Sequence, residues 1–279
     1  MEIQWTLVLF TLLTGMGAGI FAFVSVAEIL GKMEKIRPTG ALFALGLIIV
    51  GGLASVFHLS HPTRAINVLG NLNTAFGREF VLLGIVVVLI ASYIMVIKRD
   101  ASPSIKKAVS IAGLLSSVIL AFEIGATYVL PAQPAWNTYL LPLVYLASAG
   151  VLGIFGIYVI VSRKESEHEQ EQGLIGGINT IALGAIVTQA VLVFTYISHL
   201  GTSMYTDISV LTTSTGLMMF WLGVFAVGLL IPFILTLWFK KSGKNALNIA
   251  AISLACSLIG GIAFRAMMYT LGSGYNLNI

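Results

Sequence analysis

The chain alternates between long apolar runs and short polar breaks. Eight of the runs reach about 20 residues, the length that an α-helix needs to cross the hydrocarbon core of a bilayer. Prolines, glycines and clusters of charge separate them, as expected where helices end. The pattern predicts an all-α, polytopic membrane protein with eight transmembrane helices near residues 5–30, 40–60, 79–98, 105–130, 138–162, 174–199, 215–239 and 245–271.

Composition supports this interpretation and excludes several classes of protein. Of the 279 residues, 58% are hydrophobic and only 9% are charged, whereas soluble domains carry about 25% charged residues. A cytosolic enzyme, a disordered chain and a nucleic-acid-binding protein are therefore excluded. We expect one integral-membrane domain over residues 1–279, with two four-helix halves, 1–130 and 138–279, as an alternative division.

Two small-residue patterns predict close helix packing. Gly15 and Gly19 lie one helical turn apart in the first apolar run, a spacing that lets two helices approach closely. No strand precedes these glycines, so a phosphate-binding loop is excluded. Gly150, Gly153 and Gly156 can serve the same purpose in the fifth run.

Positive charge is distributed unevenly between the loops. Twelve of the 15 Lys and Arg residues fall in alternate loops, and the positive-inside rule assigns those loops to the cytoplasm. Both termini are then predicted on the outer, periplasmic side. The twelve residues are Lys32, Lys35, Arg37, Lys98, Arg99, Lys106, Lys107, Arg163, Lys164, Lys240, Lys241 and Lys244.

The single cysteine limits the redox chemistry that the chain can carry. Cys256 lies inside the last apolar run. An iron–sulfur cluster takes about four thiolate ligands, so the chain is not expected to hold one, and it cannot form an internal disulfide. Electrons released at this chain would have to leave to another subunit.

Ionisable residues inside the predicted helices are the candidates for function, because each costs about 2.5–3.5 kcal/mol to insert. All but one fall near the outer helix ends, which predicts one polar pocket near the outer surface. The exception, Glu28, is expected to pair with Lys32 one turn later. A transport path would bring polar groups to the midplane and both faces. The candidates are Glu28, His58, Glu79, Glu123, His199 and Arg265.

Histidine and carboxylate together suit a two-electron, two-proton substrate with a lipid tail. The imidazole of His58 can accept a proton from a hydroxyl group near neutral pH, and the carboxylate of Glu79 can take the next one. The same residues allow another interpretation, in which Glu79 caps the third helix and Arg64 and Arg78 pair with lipid headgroups. A single b-type haem between His58 and His199 is a further possibility on the residues alone.

At these residues the sequence resembles the membrane anchor subunit of dimethyl sulfoxide reductase-type molybdoenzymes, the DmsC family. The principal match is His58-Leu59-Ser60-x-Pro62-x-Arg64-Ala65-x-Asn67, followed by Glu79. Two supporting matches follow in the same order, Pro134-x-Trp136 with Pro142 and Arg265-x-x-x-Tyr269.

The resemblance implies a multi-pass anchor of the bacterial cytoplasmic membrane that oxidises menaquinol and contains no haem. It implies two partners on the outer face, an iron–sulfur electron-transfer subunit and a molybdopterin catalytic subunit. The membrane subunits of polysulfide and nitrite reductases share this architecture and are the nearest alternative. A small-solute secondary transporter is the alternative from a different class.

The resemblance also implies roles for individual residues. The quinol-site histidine falls on His58 and the carboxylate on Glu79, and Arg64 matches the arginine of the motif. We expect Arg64 and Arg265 to stabilise developing negative charge and Tyr269 to orient the quinol ring. The roles of the remaining polar residues stay open, namely those of His61, Arg78, Glu123 and His199.

Overall fold

The computed structural model describes residues 2–57, 70, 72–165, 172–202, 211–242 and 244–272. Within them, eight helices are long and apolar enough to cross a membrane. The all-helical prediction is confirmed, and each predicted limit lies within four residues of the observed one. The helices are α1 (Trp5–Ile29), α2 (Arg37–Val56), α3 (Ala75–Lys98), α4 (Pro103–Ala126), α5 (Leu140–Glu165), α6 (Gln172–Thr202), α7 (Ser214–Ser242) and α8 (Ala246–Gly272).

The helix α7 changes its hydrogen-bonding pattern along its length. It begins as an α-helix, continues as a π-helix over Met218–Leu230 and returns to an α-helix from Ile231. The π segment packs on α8 through glycine, since a Cβ added at Gly228 would lie 2.6 Å from the Cα of Gly260. Two helices that touch at both glycines approach more closely than larger residues would permit.

The eight helices pack as two groups of four. In the first group α1 and α3 each pack against α2 and α4, and in the second α5 and α7 each pack against α6 and α8. The groups meet where α1 contacts α5 and α8 and where α4 contacts α5. As a result α1 and α5 are mostly buried, whereas the outer helices α2, α3, α6 and α7 expose most of their apolar residues, as a lipid-facing surface requires.

Glycine brings the main chains of α1 and α5 into contact. A Cβ added at Gly153 would lie 2.7 Å from the Cα of Gly19, and one added at Gly19 would collide with the main-chain oxygen of Ala149. The predicted packing role is confirmed for Gly19, Gly153 and Gly156, because each faces the other helix. It is wrong for Gly150, since a Cβ there would meet nothing within 4 Å.

A buried ion pair ties three helices at the end of the bundle opposite the start of α1. Arg37, the first residue of α2, donates a hydrogen bond to the Glu28 carboxylate, and the Tyr93 hydroxyl on α3 donates to the same oxygen at 2.9 Å. The predicted pair of Glu28 with Lys32 is therefore wrong. Lys32 lies beyond the end of α1 and is exposed, and it contributes only its main-chain oxygen, which accepts from Arg37 Nε at 2.7 Å.

The contact between α1 and α5 predicts different outcomes for two glycines on one helix. Gly153→Ala is expected to destabilise the protein by about 1–3 kcal/mol, because the methyl group overpacks a main-chain contact. Gly150→Ala, the matched control, is expected to be neutral or to stabilise by up to about 1 kcal/mol through helix propensity. Thermal unfolding of the purified protein in detergent measures both, and equal melting temperatures for the two variants would contradict the packing described.

The buried ion pair predicts non-additive effects on stability. Arg37→Met is expected to cost about 3–5 kcal/mol, because it leaves the Glu28 carboxylate buried without its cation. The double variant with Glu28→Met as well is expected to regain most of that loss, since no charge is then left unpaired. A double-mutant cycle by thermal unfolding checks this, and simple additivity would show that the two side chains do not interact.

Candidate functional site

Polar side chains from several helices lie together at the end of the bundle where α1 begins. The chain reverses at each loop, so α3 also begins there and α4 and α8 end there. This arrangement brings Glu79, Glu123 and Arg265 to one end, as the sequence predicted. His58, His61 and Arg64 lie outside the described residues.

Glu79 is a buried carboxylate, and only one of its two oxygens has a hydrogen-bond partner among the residues that the structure describes. It is the fifth residue of α3 and is 4% exposed. Its Oε2 accepts a hydrogen bond of 3.0 Å from the Thr127 hydroxyl, whereas its Oε1 has no hydrogen-bond partner among the described residues. Thr74 caps α3 instead, accepting from the Gly77 amide, so the interpretation of Glu79 as a helix cap is wrong.

Glu123 is paired with Arg78. The Arg78 Nε lies 2.7 Å from Glu123 Oε1, and its Nη1 donates to the main-chain oxygen of Asn73 at 3.1 Å. The Arg78 side chain is 49% exposed and that of Glu123 is 12% exposed. The pair therefore lies at the edge of the buried region, and Arg78 has a protein carboxylate as its partner.

Arg265 is almost completely buried, at 2% exposed. Its Nε donates to the Thr11 hydroxyl at 2.8 Å and its Nη1 to the main-chain oxygen of Gly261 at 3.0 Å. Its guanidinium carbon lies 4.7 Å from the ring centroid of Tyr145, in a cation–π contact. No carboxylate in the described part of the chain pairs with it. A buried cation held only by dipoles and a π face attracts negative charge.

Three buried tyrosines lie between the carboxylate and the cation. The rings of Tyr128 and Tyr145 stack with centroids 5.8 Å apart, and the hydroxyls of Tyr128 and Tyr269 lie 3.2 Å apart. Tyr128 and Tyr145 are both close enough to Glu79 to interact with it electrostatically. We call Tyr128, Tyr145 and Tyr269 the tyrosine cluster. It joins Glu79 to Arg265 in one polar region under the loop between α4 and α5.

Trp136 holds that loop against α8. Its indole N–H donates to the main-chain oxygen of Met268 at 2.9 Å. Its ring meets those of Tyr128 and Tyr269 edge-on, with centroid distances of 5.8 and 5.7 Å. Trp136 of the Pro134-x-Trp136 pattern therefore has a structural role, because it covers the tyrosine cluster on the side of the loop between α4 and α5.

Sequence reasoning missed the neutral members of this region. Thr11, Thr127, Tyr128 and Tyr145 carry no charge that is costly in a membrane, so the criterion that marks Glu79 and Arg265 does not mark them. All four carry hydroxyl groups near the helix ends that were already assigned to the outer side. A search for hydroxyl-bearing residues at those ends would have found them.

The histidine pair considered for haem is not tested by the structure. His199 is exposed near the end of α6, and His58 lies outside the described residues. Within the described part of the chain, no three His, Cys, Asp or Glu residues are grouped so that they could hold a metal ion.

An apolar cleft of about 230 Å³ opens on the side of the bundle between α1, α4 and α5. Phe23 and Val118 are among its apolar lining residues. Its lining reaches Ala121 and Leu146, which lie close in sequence to Glu123 and directly after Tyr145. One end of the cleft therefore lies within about one helical turn of the polar region along α4 and α5.

Comparison with known proteins gives one family. The family model described as polysulphide reductase, NrfD, matches residues 1–274. No curated protein matches the sequence significantly. Because the family match covers nearly the whole chain, this protein belongs to the NrfD family, whose members are membrane subunits of quinol-linked oxidoreductase complexes.

Proposed function

We propose that this chain is the menaquinol-oxidising anchor subunit of a dimethyl sulfoxide reductase-type complex. It passes the electrons to an iron–sulfur subunit and anchors a molybdopterin catalytic subunit on the outer face of the bacterial cytoplasmic membrane. The sequence motif that runs from His58 to Asn67 and is followed by Glu79 supports this type within the NrfD family. The observation that carries the proposal is the Oε1 of buried Glu79, which has no hydrogen-bond partner among the described residues and lies beside the tyrosine cluster and Arg265.

Each group in this region has a part in removing two protons from a quinol. His58 accepts the proton of one hydroxyl, and Glu79 Oε1 accepts the proton of the other. As the first proton leaves, negative charge develops on the quinol oxygen, and Arg265, a cation with no carboxylate partner in the described part of the chain, stabilises it. Arg64, which belongs to the sequence motif, also stabilises this negative charge, and Tyr269 orients the quinol ring. Burial keeps bulk water from competing for these hydrogen bonds.

The lateral cleft is suited to the tail of the substrate. A menaquinol carries a long isoprenoid chain that is stable only in an apolar environment. The cleft between α1, α4 and α5 has an almost entirely apolar lining, which includes Leu146, the residue after Tyr145. A quinol can therefore come from the lipid sideways, with its ring in the polar region and its tail still in contact with the membrane interior.

The electrons leave by way of the partner. An iron–sulfur cluster is held by about four cysteine thiolates. The chain has a single cysteine, Cys256, and so does not supply these ligands. We therefore assign no iron–sulfur cluster to this subunit, and we assign it no haem on the resemblance to the DmsC family, with menaquinol as its substrate. Protons and electrons both leave on the outer side, so the subunit by itself does not pump protons.

The family description favours one second candidate, the anchor of a polysulphide reductase-type complex. Both candidates use the same quinol chemistry in this chain and differ in the catalytic subunit. Purification of the native complex followed by assay with dimethyl sulfoxide and with polysulfide distinguishes them. A solute transporter would instead support uptake by the chain alone in vesicles.

The quinol site predicts a specific loss of activity in the assembled complex. Glu79→Gln and His58→Ala are each expected to lower menaquinol oxidation by about 100-fold or more, the usual contribution of a direct acid or base. Glu34→Gln is the matched control, because Glu34 is an exposed carboxylate in the loop between α1 and α2 and is expected to leave the rate unchanged. Steady-state oxidation of a soluble menaquinol analogue measures all three.

Assembly and inhibitor binding decide how that result is interpreted. Co-purification of the partner subunits must be equal in every variant, so that a lower rate reflects chemistry. If Glu79→Gln and His58→Ala oxidise menaquinol at the wild-type rate and bind a quinone-site inhibitor normally, the site has been assigned to the wrong residues.

The proposed orientation predicts which loops a membrane-impermeant reagent can reach. In a Cys256→Ser background, Ala132→Cys introduces a thiol at an exposed position between α4 and α5, and Ser102→Cys introduces one between α3 and α4. An impermeant maleimide is expected to label the first variant in intact cells and the second only after the membrane is permeabilised. The reverse pattern would place the tyrosine cluster on the cytoplasmic side and reject the proposed direction of proton release.

A further inference from the structure

The hydroxyl of Thr127 contacts both Glu79 on α3 and the last turn of α4, which carries Glu123. Its Oγ1 is 3.0 Å from Glu79 Oε2 on α3 and also 3.0 Å from the main-chain oxygen of Glu123. Glu123 precedes Thr127 by four residues, and residues with this spacing lie on the same face of a helix. Both of these oxygens are hydrogen-bond acceptors for the Thr127 hydroxyl. Thr127 is therefore the protein group that connects Glu79 with the last turn of α4.

The ion pair with Arg78 extends this connection to the edge of the protein. Glu79 is buried, Glu123 is 12% exposed at its side chain, and Arg78 is 49% exposed. Exposure therefore increases step by step along the three residues. The Asn73 main-chain oxygen accepts from Arg78 Nη1 at 3.1 Å, which keeps the guanidinium over Glu123 and leaves the rest of it open to water.

Electrostatics favour proton transfer from Glu79 toward Glu123 over proton transfer toward Arg265. The two carboxylates are close enough to interact electrostatically, so an ionised Glu123 attracts a proton that leaves Glu79. In the other direction the tyrosine cluster leads to Arg265, a buried cation, and an excess proton beside a cation in a low-dielectric region is unfavourable. The only carboxylate near Glu79 within the described residues is Glu123.

We propose that Glu123 is the exit carboxylate for the proton that Glu79 takes from the quinol, with Thr127 as the hydroxyl that bridges Glu79 and the last turn of α4, and Arg78 as the residue that positions Glu123. This inference rests on the proposed function. Protonated Glu79 passes its proton through water to the Glu123 carboxylate, while Thr127 holds Glu79 beside the last turn of α4 through its contacts with Glu79 Oε2 and the main-chain oxygen of Glu123. Glu123 then releases that proton to water at Arg78, which remains charged throughout, and Glu79 returns to its ionised form.

The test compares variants of the purified complex that change one group on this path. Glu123→Gln is expected to lower kcat roughly tenfold, which is less than the effect of a group in direct contact with the substrate. Its KM for the menaquinol analogue is expected to stay unchanged, and its solvent deuterium isotope effect on kcat to rise. Glu123→Asp and added acetate are each expected to restore part of kcat. Acetate is not expected to rescue Glu79→Gln, because Glu79 is buried.

A second pair of variants tests the path without removing a charge. Thr127→Val deletes the bridging hydroxyl and is expected to lower kcat with a raised isotope effect, whereas Thr127→Ser keeps the hydroxyl and is expected to retain more of kcat. These variants preserve the Arg78–Glu123 pair, so they remain informative if Glu123→Gln fails to assemble. Glu34→Gln again serves as the control for loss of a carboxylate elsewhere.

The outcomes separate this inference from the proposed function. If Glu79→Gln loses activity while Glu123→Gln and Thr127→Val oxidise quinol at the wild-type rate, the proton leaves by another path and the inference is overturned. It is also overturned if Glu123→Gln is slow but neither Glu123→Asp nor acetate restores kcat, because the role is then structural. If Glu79→Gln itself is fully active, the proposed function has failed and not merely the exit path.

Discussion

The main-chain contact between α1 and α5 is the constraint on which the rest of the structure depends. Gly19 and Gly153 touch at their backbones, so the two central helices cannot shift apart or rotate without losing that contact. Thr11 precedes Gly19 by two turns on α1, and Tyr145 precedes Gly153 by two turns on α5. Both side chains bind Arg265, so the helix contact sets the width of the space that the guanidinium occupies.

The two ends of the bundle handle buried charge in opposite ways. At one end Glu28 and Arg37 neutralise each other in direct contact, which fastens α2 to α1. At the other end Glu79 and Arg265 are separated by neutral tyrosines, and neither is paired with an opposite charge among the described residues. Paired buried charges contribute structure. Separated ones remain available to a reactant, which is why the second end, and not the first, is the candidate site.

Much of the fold was predictable because each transmembrane helix satisfies its own backbone hydrogen bonds. The presence of a span therefore depends on local apolar length, and all eight were found from it. The charged members of the site, Glu79, Glu123 and Arg265, were also predictable, because a charge in a membrane is costly wherever it lies. Thr127 and Tyr128 were not, because a hydroxyl or a phenol is tolerated at many positions and becomes informative only through its contacts.

What the sequence determined by itself was the set of helices and which residues are costly enough to need a function. What only the tertiary structure decided was the partner of each charge. Glu28 pairs with Arg37 instead of Lys32, and Arg78 pairs with Glu123 instead of a lipid headgroup. The physical reason is that hydropathy and the cost of a charge are properties of a residue or a short window. A partner is selected by the packing of helices that are far apart in the chain.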